Sequence, residues 1–250
     1  MTGDSPDLPI GIDFGGTGIK GAPVDLATGE FAQERVRVKT PDRSTPENVA
    51  EVLAELVGQF GESSAPIGIT VPGVVRHGVV SSAANIDPAW IGTDADRLFT
   101  RALGRDVHVV NDADAAGLAE VTFGAAKGRG GLVILTTLGT GIGSALLYDG
   151  VLVPNSELGH LEIDGHDAES RAANSARESE ELSMEKWAHR LTTYYRTVER
   201  LFSPDLFVVG GGISKRADEF LPLLDIDTEI VPAQLRNQAG VVGAALYATT

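Results

Sequence analysis

Short apolar runs alternate along this chain with longer stretches in which apolar positions recur at helical spacing. Ile10–Phe14, Ile67–Val71, Val107–Val110, the run from Leu132 and Leu206–Val209 read as buried strands. Each stops at glycine, proline or asparagine. Between them, Val49, Val52, Leu53, Leu56, Val57 and Phe60 mark one face of a helix that starts at Thr45-Pro46-Glu47, a capping hydroxyl before proline and an acid. Further helices are predicted over Asp94–Leu103, closed by Gly104, over the alanine-rich Ala115–Phe123, and over Gly240–Ala248. A long one follows the cap Ser183, with Trp187, Leu191, Tyr194, Tyr195, Val198, Leu201 and Phe202 inward.

Phe31–Thr40 reads as a strand in which Val36 and Val38 alternate with Arg35, Arg37 and Lys39. Residues 74–81 form a small hairpin and Ser82–Trp90 an irregular loop. Gly124–Gly131 is expected to be a mobile link, and the charge-dense Glu162–Glu181 a surface segment or mobile loop. Strands alternating with helices predict an α/β chain, with ligands beyond the carboxyl ends of the strands. Pro72-Gly73, Asn111-Asp112 and Thr136–Gly141 stand at such ends.

One pattern occurs twice. Ile10–Lys20 is a β-branched run, a glycine turn and a return strand, and Gly16-Thr17-Gly18-Ile19 recurs as Gly139-Thr140-Gly141-Ile142. Such a turn admits positive φ and lets exposed N–H groups surround phosphate oxygens. A tight hairpin needing glycine only for its turn is the alternative for one copy. Two copies indicate related halves facing one ligand.

With 250 residues, 42% hydrophobic and 22% charged, the chain buries a sizeable core as one large or two small domains. No apolar run is long enough to span a membrane, so no membrane partner is expected. The opening nine residues are acidic and lack an apolar core, and read as a disordered lead-in rather than a secretory signal. The absence of cysteine excludes disulfides and thiolate metal sites and suits a cytoplasmic enzyme. A net charge of −15 argues against nucleic acid as a partner and requires local cations for any polyanionic ligand.

Several residues carry two readings. Asp112 is a strand-end carboxylate beside an amide, or the N-cap of the following helix, a place for which Asp114 competes. Gly210-Gly211-Gly212 at a strand–helix junction receives a flat group, or serves close packing. His160, Glu162, Asp164 and His166 offer metal-binding atoms, though strand alternation accounts for them too. Lys127, Arg129, Lys215 and Arg216 are candidate phosphate cations or solvated surface charges.

The motifs at Asp13–Lys20, Asn111-Asp112, Leu138–Gly143, Glu157–His160 and Gly210–Gly212, in this order from Ile10 to Tyr247, resemble those of the ROK family of sugar kinases. Glu157-Leu-Gly-His160-Leu-Glu-Ile-Asp-Gly165 and the stretch Leu201–Gly212 are similar to the polyphosphate-using branch. That branch, like this chain, lacks the cysteine-rich zinc motif of most members, so no zinc site is expected. The resemblance implies an actin-like (ribonuclease H-like) two-lobed phosphotransferase fold, with a duplicated core and a cleft between lobes. The small lobe would span 10–112, completed by 238–250, and the large lobe 113–237.

The implied activity is transfer of a phosphoryl group from polyphosphate, with ATP also possible, to the 6-hydroxyl of glucose in a homodimer. Asp112 would be the general base. Asn85, Asn111, Glu157, His160 and Glu169 would hold glucose together with Asp112. Gly15, Gly16, Thr17, Gly18, Lys20, Gly139, Thr140, Gly141 and Gly143 would hold donor phosphates. Asp13 would orient Mg²⁺ through water, and Gly210, Gly211 and Gly212 would line the nucleotide side. The rivals are a strictly ATP-dependent glucokinase or glucomannokinase, a sugar-responsive regulator and an actin-like structural ATPase. Too few residues precede Ile10 for a DNA-binding helix pair, and Glu157–His160 argues against the last.

Overall fold

The computed structural model describes residues 7–83 and 86–250. The chain divides into two compact units, one reaching Ala115 and adding Gln238–Thr250, the other spanning Ala116–Asn237. Asp7–Pro9 are not a disordered lead-in. The Asp7 carboxylate accepts from the hydroxyls of Ser63 and Ser64, which lower its pKa to about 2, and the Pro9 carbonyl accepts from Val24 N–H at 2.9 Å.

In the first unit β1 (Ile10–Gly15) and β2 (Gly18–Asp25) form an antiparallel hairpin. The strand predicted over Phe31–Thr40 is two pieces, β3 (Glu30–Phe31) and β4 (Val36–Val38), pairing with different parts of β2. Pro23 stands between those parts and has no N–H to continue the ladder. Then come α1 (Pro46–Gly58), β5 (Ile67–Val71), the small hairpin β6 (Val75–Arg76) and β7 (Val79–Val80), α2 (Ala95–Leu103), β8 (Val107–Asn111) and the start of α3 (Asp112–Thr122). The sheet order is β3-β2-β1-β5-β8, with β4 also on β2 and β1, β5 and β8 parallel.

Thr45 caps α1 by accepting the Asn48 N–H at 3.3 Å, a bond typically worth about 1 kcal/mol. Its buried face of Val49, Leu53, Leu56 and Val57 covers one side of the sheet with Ile12, Ile69 and Val109. The closing helix, Ala239–Tyr247, lies on the other side, so close that a Cβ on Gly68 would meet the Ala244 carbonyl oxygen at 1.7 Å.

The second unit holds β9 (Leu132–Leu138), β10 (Ile142–Tyr148), β11 (Val151–Val153), β12 (Glu162–Ile163), β13 (His166–Asp167), α4 (Glu169–Ala172), α5 (Asn174–Ser179), α6 (Met184–Phe202), β14 (Leu206–Gly210), α7 (Ala217–Phe220) and β15 (Ile230–Pro232). Its sheet, β11-β10-β9-β14-β15, repeats the plan of the first: an antiparallel hairpin through Gly-Thr-Gly, then parallel neighbours. The core lies between this sheet and α6, where Tyr195 meets Phe207 with ring centres 5.0 Å apart and bonds Thr136 at 2.7 Å. Both sheets have the wiring of the α/β, actin-like phosphotransferase fold.

Four expectations need correcting here. Glu162–Glu181 is a hairpin and two short helices rather than a loose segment. Ala168, Ala172, Ala173 and Ala176 are buried, and the Trp187 indole donates to the Ala172 carbonyl at 2.9 Å. Small residues pack without raising the hydrophobic signal. Gly124–Gly131 is tied down rather than mobile, since buried Glu120 accepts the Ala125 N–H at 2.7 Å and Gly131 donates to Asp149 at 2.7 Å. Leu201 is 57% exposed, because it lies past Val198, the last buried residue of α6. After β14 there is one 3₁₀ turn, Gly212–Arg216, and only a four-residue α7.

Candidate active site

In the first unit the carboxyl ends of β1, β5 and β8 gather the polar residues. Register puts Thr70, Asp13, Lys20 and Arg37 in one row across β5, β1, β2 and β4. Directly opposed residues share a face of the sheet. The Lys20 ammonium lies 3.0 Å from Asp13 Oδ2, and the Thr70 hydroxyl donates to Asp13 Oδ1 at 3.3 Å while accepting the Phe14 N–H at 3.1 Å. Asp13 also sits at the start of the closing helix, where a Cβ on Gly240 would be 3.1 Å from its carboxyl carbon. A helix N-terminus favours a carboxylate.

Gly16 and Thr17 form the exposed turn between β1 and β2, and Thr40 fixes it by donating its hydroxyl to the Gly15 carbonyl at 2.6 Å. None of the glycines in either Gly-Thr-Gly turn has a positive φ. Their value is therefore the missing side chain rather than left-handed backbone.

The helix after β8 begins at Asp112, not Ala115. Asn111 caps it: its Oδ1 accepts the N–H groups of Ala113 at 2.8 Å and Asp114 at 3.1 Å, while its Nδ2 donates to the Gly73 carbonyl at 3.0 Å; Asp112 Oδ1 shares the Ala113 N–H at 3.0 Å. Asn111 is buried and Asp112 exposed, so the amide anchors the strand end and the carboxylate is presented beyond it. Asn85 lies outside the described residues.

In the second unit the 3₁₀ turn Leu158–His160 lies against β10. Gly159 is required there, because a Cβ would meet the Ile142 carbonyl oxygen at 2.2 Å. His160 Nδ1 is 2.9 Å from Asp167 Oδ2, and its Nε2 is 4.0 Å from Glu157. The Asp167 bond, with the nearby carboxylates, raises the His160 pKa against partial burial; burial raises that of Glu157. The Glu169 carboxylate accepts the Ile142 N–H at 3.0 Å, at the end of the second Gly-Thr-Gly turn. The Gly139 and Thr140 carbonyls are bound by Ser175 at 3.0 and 2.6 Å, and Gly143 opposes Thr137. Glu157, His160, Glu169 and the turn Gly139–Gly141 are thereby brought together.

Among the described residues, His160, Asp167 and Glu169 are the group whose ligand atoms lie within 4.8 Å of one another, as a metal site requires. Glu162, Asp164 and His166 are not part of it.

Of Gly210, Gly211 and Gly212 at the end of β14, packing demands only Gly211, which has φ 81° and lies against Leu138. A Cβ on Gly212 would touch nothing, so its bareness leaves room for a ligand. In the same unit Lys215, Asp218, Gln234, Arg236 and Ala125 line a cavity of about 570 Å³. Arg129 and Arg216 bind Glu229 and Glu219, with the Arg216 Nε 2.6 Å from Glu219. Sequence reasoning missed Arg37, Thr70, Arg236 and Asp167. Cross-strand register or a hairpin brings the first, second and fourth into place, and neither has a local motif.

A duplicated hairpin of glycine-turn strands, with a carboxylate presented at a strand end, defines a phosphotransferase of the actin-like class. The ROK family model matches residues 9–176, and the chain belongs to that family. It is 52% identical over 238 residues to a polyphosphate glucokinase of Mycobacterium tuberculosis (strain CDC 1551 / Oshkosh), covering 95% of this chain and 89% of the relative. It matches the crystal structure of the inorganic polyphosphate/ATP-glucomannokinase from Arthrobacter sp. strain KM with TM-score 0.91 and 57% identity, over 97% and 98% of the chains. It also matches a ROK family glucokinase from Streptomyces griseus in complex with glucose and AMPPNP, with TM-score 0.82 and 25% identity over 97% and 99%. No helix among the described residues is long and apolar enough to cross a membrane.

Proposed function

We propose that this chain is a glucokinase that transfers a phosphoryl group from inorganic polyphosphate, with ATP as a second donor, to the 6-hydroxyl of glucose. The observation that carries the chemistry is the division of labour at the end of β8. Asn111 caps α3 through two accepted N–H groups, and the exposed carboxylate of Asp112, which shares the Ala113 N–H through its Oδ1, accepts the proton of the attacking hydroxyl. Phosphoryl transfer otherwise rests on positioning and charge stabilisation. Glu157, His160 and Glu169 fix the pyranose through convergent polar contacts, together with Asn85 and Asn111. Gly15, Gly16, Thr17, Gly18 and Lys20, with Gly139, Thr140, Gly141 and Gly143, hold the donor phosphates. Gly210, Gly211 and Gly212 border the donor's far end.

Asp13 fits a Mg²⁺ ion held through water: one carboxylate, braced by Thr70 and Lys20, suits a hard cation that keeps much of its hydration shell. When bound, the ion neutralises charge on the donor phosphates. The two units correspond to the two lobes of the kinase, divided within α3. The cysteine-free chain suits the cytoplasm. A homodimer finds support in the edge strand β11, which exposes Val151 and Val153 beside Tyr148.

The similarity to a glucomannokinase favours mannose as a second acceptor. A coupled glucose 6-phosphate assay with nucleotide-free polyphosphate or ATP, at matched glucose and mannose and with or without Mg²⁺, tests the proposal. Turnover with polyphosphate is expected; turnover with ATP alone overturns the donor assignment.

A further inference from the structure

Arg37 is the one member of the cross-strand row that the proposed function leaves unused. It sits on β4 opposite Lys20, and Lys20 sits opposite Asp13. Lys20 spends its charge on Asp13 at 3.0 Å, whereas the Arg37 side chain makes no ion pair or hydrogen bond among the described residues. Arg129, Arg177, Arg190, Arg196 and Arg216 each hold a carboxylate, whereas the Arg37 guanidinium is not neutralised in this way. Its position is set by the glycine turn. A Cβ on Gly18 would lie 3.1 Å from Arg37 Nε and 3.4 Å from Nη2, so the guanidinium rests over the turn where a larger residue would push it away. Pairing of Val38 with Ile19 and the bond from Thr40 to the Gly15 carbonyl fix β4 to the same turn.

We propose that Arg37 is a donor ligand: its guanidinium grips the phosphoanhydride chain at the first Gly-Thr-Gly turn and contributes to the preference for a long polyphosphate. A planar guanidinium pairs bidentately with two non-bridging phosphate oxygens, and such charge-assisted bonds are the strong kind. Lys20 is partly neutralised by Asp13, so Arg37 supplies the uncompensated positive charge at this turn. A polyanion needs that charge most, because it approaches a chain of net charge −15. The inference rests on the assignment of this turn to the phosphoryl donor.

The test compares wild type, Arg37→Gln and Arg37→Lys in initial-rate assays with polyphosphate and with ATP at saturating glucose, with inorganic tripolyphosphate as a competing anion. Arg37→Gln should raise the polyphosphate KM about tenfold or more, weaken tripolyphosphate inhibition to a similar degree and flatten the salt dependence. The ATP KM should rise less and the glucose KM stay within about twofold. Arg37→Lys should recover part of the polyphosphate KM. An Arg37→Gln enzyme with unchanged polyphosphate KM and tripolyphosphate inhibition overturns the inference while leaving the donor assignment intact. A wild-type enzyme inert with polyphosphate overturns the assignment itself.

Discussion

The carboxylate of Glu169 lies 3.0 Å from the backbone nitrogen of Ile142 and accepts its N–H. The first residue of α4, proposed to hold the sugar, thereby braces the second Gly-Thr-Gly turn, proposed to hold the donor. Removing it should disturb both substrates. Glu169→Ala is expected to raise the KM for glucose and for the donor together, each by about tenfold. Glu169→Gln keeps an acceptor for Ile142 and should restore mainly the donor side. Two-substrate kinetics decide it, and a change confined to glucose would refute the brace.

Asp112→Asn should leave glucose binding within about twofold and lower kcat by roughly 10²–10⁴, the usual contribution of a general base. Asn111 holds the start of α3 in either case, so the fold should survive. Turnover near the wild-type rate would remove Asp112 from the mechanism.

The His160 and Glu157 pKa values are both raised in the folded chain, the first mainly by the Asp167 bond, the second by burial. The folded protein therefore holds these protons to higher pH than the unfolded chain. Each contribution to stability is full below the unfolded pKa and is lost as pH rises through the folded value. For His160 that loss begins near pH 6.5 and continues upward. Asp167→Asn should lower the His160 pKa toward its ordinary value, as imidazole NMR titration would show. An unmoved titration would contradict the pairing.

Glu120 is buried, and its carboxylate accepts three backbone N–H groups, from Ala125 at 2.7 Å, Gln234 at 3.1 Å and Leu235 at 2.8 Å. Glu120→Ala leaves those donors unsatisfied, each costing about 1–3 kcal/mol, so the second unit should lose roughly 3 kcal/mol or more. Denaturant unfolding measures this. A loss below about 1 kcal/mol would mean that water replaces the carboxylate.

Gly212→Ala and Gly159→Ala should behave oppositely. A Cβ at Gly212 touches nothing, so thermal stability should hold while the donor KM rises. A Cβ at Gly159 collides with the Ile142 carbonyl, so that variant should unfold earlier and bind glucose poorly. Melting curves beside donor and glucose KM values separate the two, and equal behaviour would reject this division of roles.

The repeated Gly-Thr-Gly hairpin, five buried strands and the capped helices were legible in sequence, because period, glycine spacing and capping are local properties. Glu162–Glu181 was not, since its burial is carried by alanines whose packing partners lie far along the chain. Strand register decided the rest. Thr70, Asp13, Lys20 and Arg37 are scattered over four strands, and only pairing puts them in one row. The cap of α3 shows the same limit. Asn111, Asp112 and Asp114 are all chemically able to cap it, and only the folded chain shows Asn111 accepting the Ala113 and Asp114 N–H groups while Asp112 shares the first. By itself the sequence determined which segments form strands and helices and where the phosphate turns lie. The tertiary structure decided which charges meet there, because side-chain partnership across a sheet depends on pairing between distant segments.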